Sequence, residues 1–215
     1  MSLLCEARVE VRPVIFANES MSESTRRDHL VSALKEDLPA LTVEVGLLYL
    51  EESPEDAWAL GVVGQALFYM ARYGEAEAMY ARALIGVEPH RRRRLLNQLG
   101  DLKAAQLDFA EAERFYREAM VAEPDNAAAY IFLGAMLAKR GDLRAAEEVH
   151  RRGTACTQGC IDEAYLNLGY VLRAQRRYVE ALECFRESLA LDPLDKDTQE
   201  ALRDMEAVLF GFPEA

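Results

Sequence analysis

The chain has 215 residues, 51% hydrophobic and 29% charged, enough for one medium folded domain with its own core. Its formal net charge of −12 repels a phosphate backbone over most of the surface, which argues against general nucleic-acid binding and suits a partner with a basic face. Ala, Leu, Glu and Arg dominate, all strong helix formers, and no apolar run reaches the roughly 20 residues that span a bilayer.

The first segment, 1–24, has a short apolar start broken by Glu6, Arg8, Glu10 and Arg12. It lacks the continuous apolar core of a secretory signal, so a cytoplasmic protein is expected. Val9, Val11 and Val14 alternate weakly like a strand, while Pro13 and the NESMSES stretch predict a loose, disordered arm or a segment that docks in a groove. From 25 to 56, Leu30, Leu34, Leu38, Leu41, Val45 and Leu48 follow helical spacing, and Pro39 suits the first turn of a second helix. This stretch is expected to be a helical N-terminal cap or a degenerate repeat. Ser53-Pro54-Glu55-Asp56 then opens the next helix, with Ser53 as its N-cap.

Between 57 and 195 one pattern returns four times. Gly64, Gly100, Gly134 and Gly169 recur at 36, 34 and 35 residues, and Ala76, Ala112, Ala146 and Ala181 keep the same intervals. Three residues before each Ala stands Tyr73, Phe109, Leu143 or Tyr178; four after it stands Tyr80, Tyr116, His150 or Phe185. Seven after it stands a small residue: Ala83, Ala119, Gly153 or Ser188. Pro89, Pro124 and Pro193 close three copies, and Gln158 occupies that place in the third. Each unit is therefore two helices with apolar residues at i, i+3, i+4 and i+7 (Tyr130, Leu133, Gly134 and Leu137 in one of them). The glycine is expected to let the second helix approach with its alanine facing it. The ring is expected to fill the space between one pair and the next. The units run about 57–92, 93–126, 127–161 and 162–195. The last segment, 196–215, is read as a capping helix and tail with Ala201, Leu202, Met205, Val208 and Leu209 as its stripe, started by Asp197 or Thr198.

This spacing resembles the tetratricopeptide repeat, whose W-x2-L-G-x2-Y…A-x3-F…P pattern is matched by YIFLGAML…AAEEVH and YLNLGYVL…ALECF…P. The resemblance covers 57–195 and departs at Val63, at Lys103 and at the missing third proline. It implies an all-α fold: a right-handed superhelical solenoid of antiparallel helix pairs with N- and C-terminal capping helices. It also implies a concave face lined by the first helix of each unit. Here that face is expected to present Gln65 and Tyr69, Asn97 and Asp101, Ile131, Ala135 and Lys139, and Leu166, Tyr170 and Arg173. One class of the family clamps a C-terminal carboxylate with Lys and Asn; the equivalents here are Gly61, Gln65, Gln98 and residues near Ala128 and Phe132, none of them basic. An apolar segment of a partner is the expected ligand instead.

Two other clusters stand out. His90-Arg91-Arg92-Arg93-Arg94 falls between units one and two at an expected helix N-terminus, where positive charge opposes the dipole; it reads as a solvated loop balanced by acids such as Glu88 or as a patch for an anion, RNA or an acidic partner. Cys156 and Cys160 share one turn with His150 nearby, a weak metal spacing, and His150 already fills the ring position; a disulfide across the turn stays open. No metal or other cofactor is implied. No phosphate-cradling loop, nucleophile elbow or zinc-protease motif occurs, so no enzyme is expected. The leading reading is a non-catalytic scaffold or adaptor that binds a protein or peptide in the concave groove. A secretion-type chaperone for an aggregation-prone client is the alternative, and RNA or anion binding through Arg91–Arg94 the third. The oligomeric state is open between monomer and homodimer.

Overall fold

A computed structural model describes residues 22–211. The expected N-terminal arm lies outside the described residues except for Ser22, Glu23 and Ser24, and the tail beyond 211 lies outside them too. The described residues form eleven helices: α1 (Glu23–Lys35), α2 (Pro39–Glu52), α3 (Ala57–Tyr69), α4 (Tyr73–Gly86), α5 (Pro89–Ala105), α6 (Phe109–Ala122), α7 (Ala127–Lys139), α8 (Leu143–Thr154), α9 (Ile161–Ala174), α10 (Tyr178–Leu191) and α11 (Lys196–Phe210). They pack as consecutive antiparallel pairs, α1/α2 through α9/α10, with α11 closing the stack on α10.

Short polar side chains set where most helices start. Asp108, Asn126 and Asp142 cap α6, α7 and α8 by accepting backbone N–H groups two or three residues on. Pro39 and Pro89 occupy first-turn positions of α2 and α5, where the missing N–H costs nothing. Two expected caps move. Asp56, not Ser53, caps α3, accepting from Trp58 and Ala59, because Ser53-Pro54 is spent in the connecting turn. Asp195, not Asp197 or Thr198, caps α11. The expected boundary between 92 and 93 also falls inside a helix: α5 begins at Pro89, so the arginine run forms its first two turns, at the helix N-terminus expected for it, and is not a solvated loop.

Inside every pair the two helices join by the same left-handed turn, at Asp37, Ala71, Leu107, Gly141 and Arg176. The N–H of the next residue reaches back to a carbonyl of the last helical turn, as Asp108 N to Lys103 O at 2.9 Å, which satisfies groups the helix end leaves open. Asp37 shares this turn, so α1/α2 is built like the four pairs after it. Four of the five positions hold a side chain where the backbone favours glycine. Leu107→Gly should therefore stabilise the protein by about 0.5–1 kcal/mol, since an L-residue in this region is strained by somewhat more than glycine's extra unfolded-state freedom costs. Little burial is lost, because Leu107 is exposed. Gly141→Ala should destabilise by a similar amount; urea midpoints at unchanged slope check both.

The core differs from expectation in one detail. The ring, not the alanine, sits on the glycine. A Cβ added at Gly64, Gly100, Gly134 or Gly169 would lie 2.8 Å or less from the ring of Tyr80, Tyr116, His150 or Phe185, sixteen residues later in the same unit. The glycine thus makes room for an aromatic group within a pair, and the alanines Ala76, Ala112, Ala146 and Ala181 are wholly buried beside it. Between pairs, polar departures from the repeat find partners. Lys103 binds Glu77 of the preceding unit at 2.7 Å. Gln158 replaces the closing proline because its N–H donates to Asp125 O at 3.1 Å while its carbonyl accepts from Ala127 N at 2.9 Å. A proline there would delete the first of these bonds.

Candidate functional site

The first helices of successive pairs touch one another, α3 with α5, α5 with α7 and α7 with α9, and so form one continuous inner surface. Each contributes side chains at fixed offsets from its buried glycine. Two residues before it stand Val62, Gln98, Phe132 and Asn167; one after it, Gln65, Asp101, Ala135 and Tyr170; five after it, Tyr69, Ala105, Lys139 and Ala174. Tyr69 is 63% exposed and Phe132 37%. Phe132 stacks on the Tyr116 ring at 6.1 Å between centroids, and Tyr170 meets Phe185 edge-on at 5.4 Å. The repeat's rings thus hold the groove's aromatic groups from beneath.

Of the residues expected on this surface, Gln65, Tyr69, Asp101, Ala135, Lys139, Leu166, Tyr170 and Arg173 keep at least partial exposure. Asn97 and Ile131 do not: they are 3% and 5% exposed. Ile131, three residues before its glycine, packs toward the next pair with Ala127, Ala164 and Ile161. Of the apolar residues expected there, Ile131 is therefore buried while Leu166 and Tyr170 stay partly exposed, and Phe132, one residue on from Ile131, is exposed. Among the described residues the Asn97 Oδ1 is buried without a hydrogen-bond partner. Asp101 accepts from the Tyr116 hydroxyl at 2.7 Å. Burial raises its carboxyl above the usual range, while the Tyr116 bond and the Lys139 charge pull the other way. Arg173 is engaged by Asp204 of α11 at 3.0 Å.

At its N-terminal end the surface deepens into a cleft of about 420 Å³ between α3 and α5, reached also by Leu34 of α1. Trp58, Gly61, Val62, Gln65, Leu95 and Gln98 line it with His90, Arg91 and Arg94. A neighbouring hollow shares Leu34, Gln65 and Arg94 and adds Leu38 and Tyr69. Helical spacing alone puts Leu34 and Leu38 in a core stripe; they are about two-fifths exposed, and this cleft is where they emerge. Part of the arginine run also reaches this cleft. Helical rotation deals the four residues to different faces. Arg91 and Arg94 enter the cleft. Arg93 binds Glu123 at 2.7 Å. Arg92 turns outward to a hollow with Arg114 and Arg117. The run is not one basic patch.

The remaining polar clusters are chemically quiet. Burial raises the Cys156 and Cys160 thiols above the ordinary value and pushes Cys184 up to about 11, which leaves each mostly protonated and poorly nucleophilic at neutral pH. His150 is buried, and burial lowers its imidazole to about 4. Among the described residues, no three His, Cys, Asp or Glu side chains converge as a metal site, and no helix is long and apolar enough to cross a membrane.

Comparison with known proteins fits this architecture. Tetratricopeptide-repeat models match residues 97–158 and 162–194. Human tetratricopeptide repeat protein 7A is 26% identical over 181 residues, covering 82% of this chain and 21% of that protein; the chain spans about a fifth of that relative's length. Yeast Tom70 superposes with a TM-score of 0.76 at 16% identity, over 86% of this chain and 40% of its own. A thermophilic tetratricopeptide-repeat protein of Thermus thermophilus does so at 0.67 and 16%, over 86% and 98%. At such identities these structures share the fold, a right-handed superhelical solenoid of helix pairs. With repeat models matching α5–α10 and the same glycine-on-ring packing in α3/α4, the chain belongs to the tetratricopeptide-repeat family.

Proposed function

We propose that the protein is a non-catalytic scaffold that holds a segment of a partner protein, as peptide or helix, along its concave groove. Repeats of this family generally mediate protein–protein interaction. The observation that carries the reading is the groove itself: the first helices α3, α5, α7 and α9 present one surface on which Trp58, Tyr69, Phe132 and Tyr170 stand at least partly exposed, the last two held by rings packed behind them. Rigid aromatic groups beside polar ones such as Gln65, Gln98 and Asn167 suit a peptide read by shape and a few hydrogen bonds. A reducing compartment such as the cytoplasm suits the free thiols Cys156, Cys160 and Cys184.

Capture from native extract tests it, with three baits whose fold is checked by circular dichroism. Wild type and an outer-surface variant, Ile85→Glu/Val121→Glu, should retain the same protein, and Phe132→Glu/Tyr170→Ala should lose it. Ile85 and Val121 are each more than four-fifths exposed, so their replacement is a fair control. A partner kept by the groove variant and lost by the outer variant would sink the proposal. Ile131 is no place for such a test, because a glutamate there would bury a charge between α7 and α9.

A further inference from the structure

We propose that the cleft between α1, α3 and α5 binds an acidic peptide segment carrying a bulky apolar side chain. Leu34 and Trp58 would receive the apolar group, and Arg94 with Arg91 its carboxylates. The proposal rests on the groove-binding reading above and names the chemistry of the partner. Three observations converge.

The first is charge. The chain carries −12, yet every charged group lining the cleft beside Trp58 is basic or a histidine: His90, Arg91 and Arg94. Among the described residues Arg94 pairs with no acid, whereas Arg93 is bound to Glu123 and Arg91 lies 3.9 Å from Glu88. Glu88, the N-cap residue of α5, lies 3.4 Å from His90 and 3.9 Å from Arg91, and Asp37 lines the adjoining hollow; among the described residues neither forms an ion pair with Arg94.

The second is apolar exposure in the same place. Leu34 and Leu38 sit on a helical stripe that should be buried, but each is exposed by about two-fifths where α1 and α2 face the cleft. Trp58 adds a half-buried indole, with the Arg27 guanidinium 5.1 Å from its ring centre. The third is that the walls come from three helix pairs. The cleft is formed before any ligand arrives, which limits the ordering cost of binding.

A carboxylate here would exchange water for an uncompensated guanidinium in a partly enclosed site, and Arg can hold it through two donors. A wholly apolar or basic segment leaves Arg94 unanswered.

Selection from a phage-displayed random peptide library tests this on wild type, Arg94→Glu, Arg94→Gln, Trp58→Ala, Phe132→Glu and the outer-surface control Ile85→Glu. Arg94 is exposed, so its variants should keep the wild-type circular dichroism. Wild type should enrich peptides that combine Asp or Glu with a bulky apolar residue. A resynthesised peptide should lose at least about tenfold in affinity for Arg94→Glu and Trp58→Ala, with Arg94→Gln between. It should keep its affinity for the outer-surface variant Ile85→Glu, whose side chain is exposed and lines neither the cleft nor the groove, and weaken as salt rises. Enriched peptides without acids, indifferent to Arg94→Glu and lost on Phe132→Glu, would overturn this proposal while leaving groove binding standing. No enrichment over the bare carrier would count against both. A wild-type dimer that Arg94→Glu splits in sedimentation would show a second copy covering the cleft, and would overturn it too.

Discussion

Phe185→Ala should cost about 3–5 kcal/mol, the range for truncating a fully buried ring. That is a large part of a typical domain's total stability. Phe185 is wholly buried on Gly169, with Tyr170 against its edge. Nothing on the glycine side can collapse into the space, because there is no side chain to move. A repeat touches only its neighbours, so the damage should stay local. Amide exchange should rise in α9–α11 and stay near wild type in α1–α4. A loss below about 1 kcal/mol in urea unfolding, or exchange raised evenly along the chain, would show that the ring-on-glycine contact does not hold the unit together. Gly169→Ala probes the contact from the other side: the new Cβ would fall 2.4 Å from Phe185 Cε1, and pairing it with Phe185→Leu should recover part of the loss.

Acid should weaken the protein through His150, and His150→Phe should remove that dependence. The free imidazole titrates near 6.5, and burial lowers this one to about 4. Between those values the unfolded chain binds a proton that the folded chain refuses, so stability is full above about pH 6.5 and falls as pH drops toward 4. A shift of this size corresponds to about 3 kcal/mol. Carboxylates held low by hydrogen bonds, such as Asp125 and Asp195, lose stability only at more acid pH and do so in both proteins. The difference between wild type and His150→Phe therefore isolates the histidine. At neutral pH the variant should also be more stable by about 1 kcal/mol, because among the described residues the His150 Nδ1 is buried without a partner. Phenylalanine already fills the same place in the next unit. Parallel urea curves for the two proteins from about pH 7 to about pH 4.5 would refute the assignment.

The repeat was legible because its contacts are short in sequence. Glycine and ring lie sixteen residues apart on two adjoining helices, so one unit's pattern contains the whole contact, and four copies show it four times. Even there, helical spacing alone did not tell the ring from the alanine as the glycine's neighbour, since both lie on the inner stripe of the second helix. The turn at Asp37 was less visible, because no glycine marks it and only the backbone shows the match to Gly141.

What each unit buries, and hence the all-helical repeat, was determined by the sequence itself through the periodicity of apolar, small and aromatic residues. Which residues face the groove was decided by tertiary structure. Neighbouring helix positions differ by about 100° of rotation, and the turn of one pair against the next selects among them. That angle buried Asn97 and Ile131 and exposed Phe132. It also brought Leu34 to Arg94, sixty residues away in the chain, in a cleft no single repeat contains. A repeat's own periodicity sets the inside of a pair; the site lies between pairs, where only their stacking places one side chain beside another.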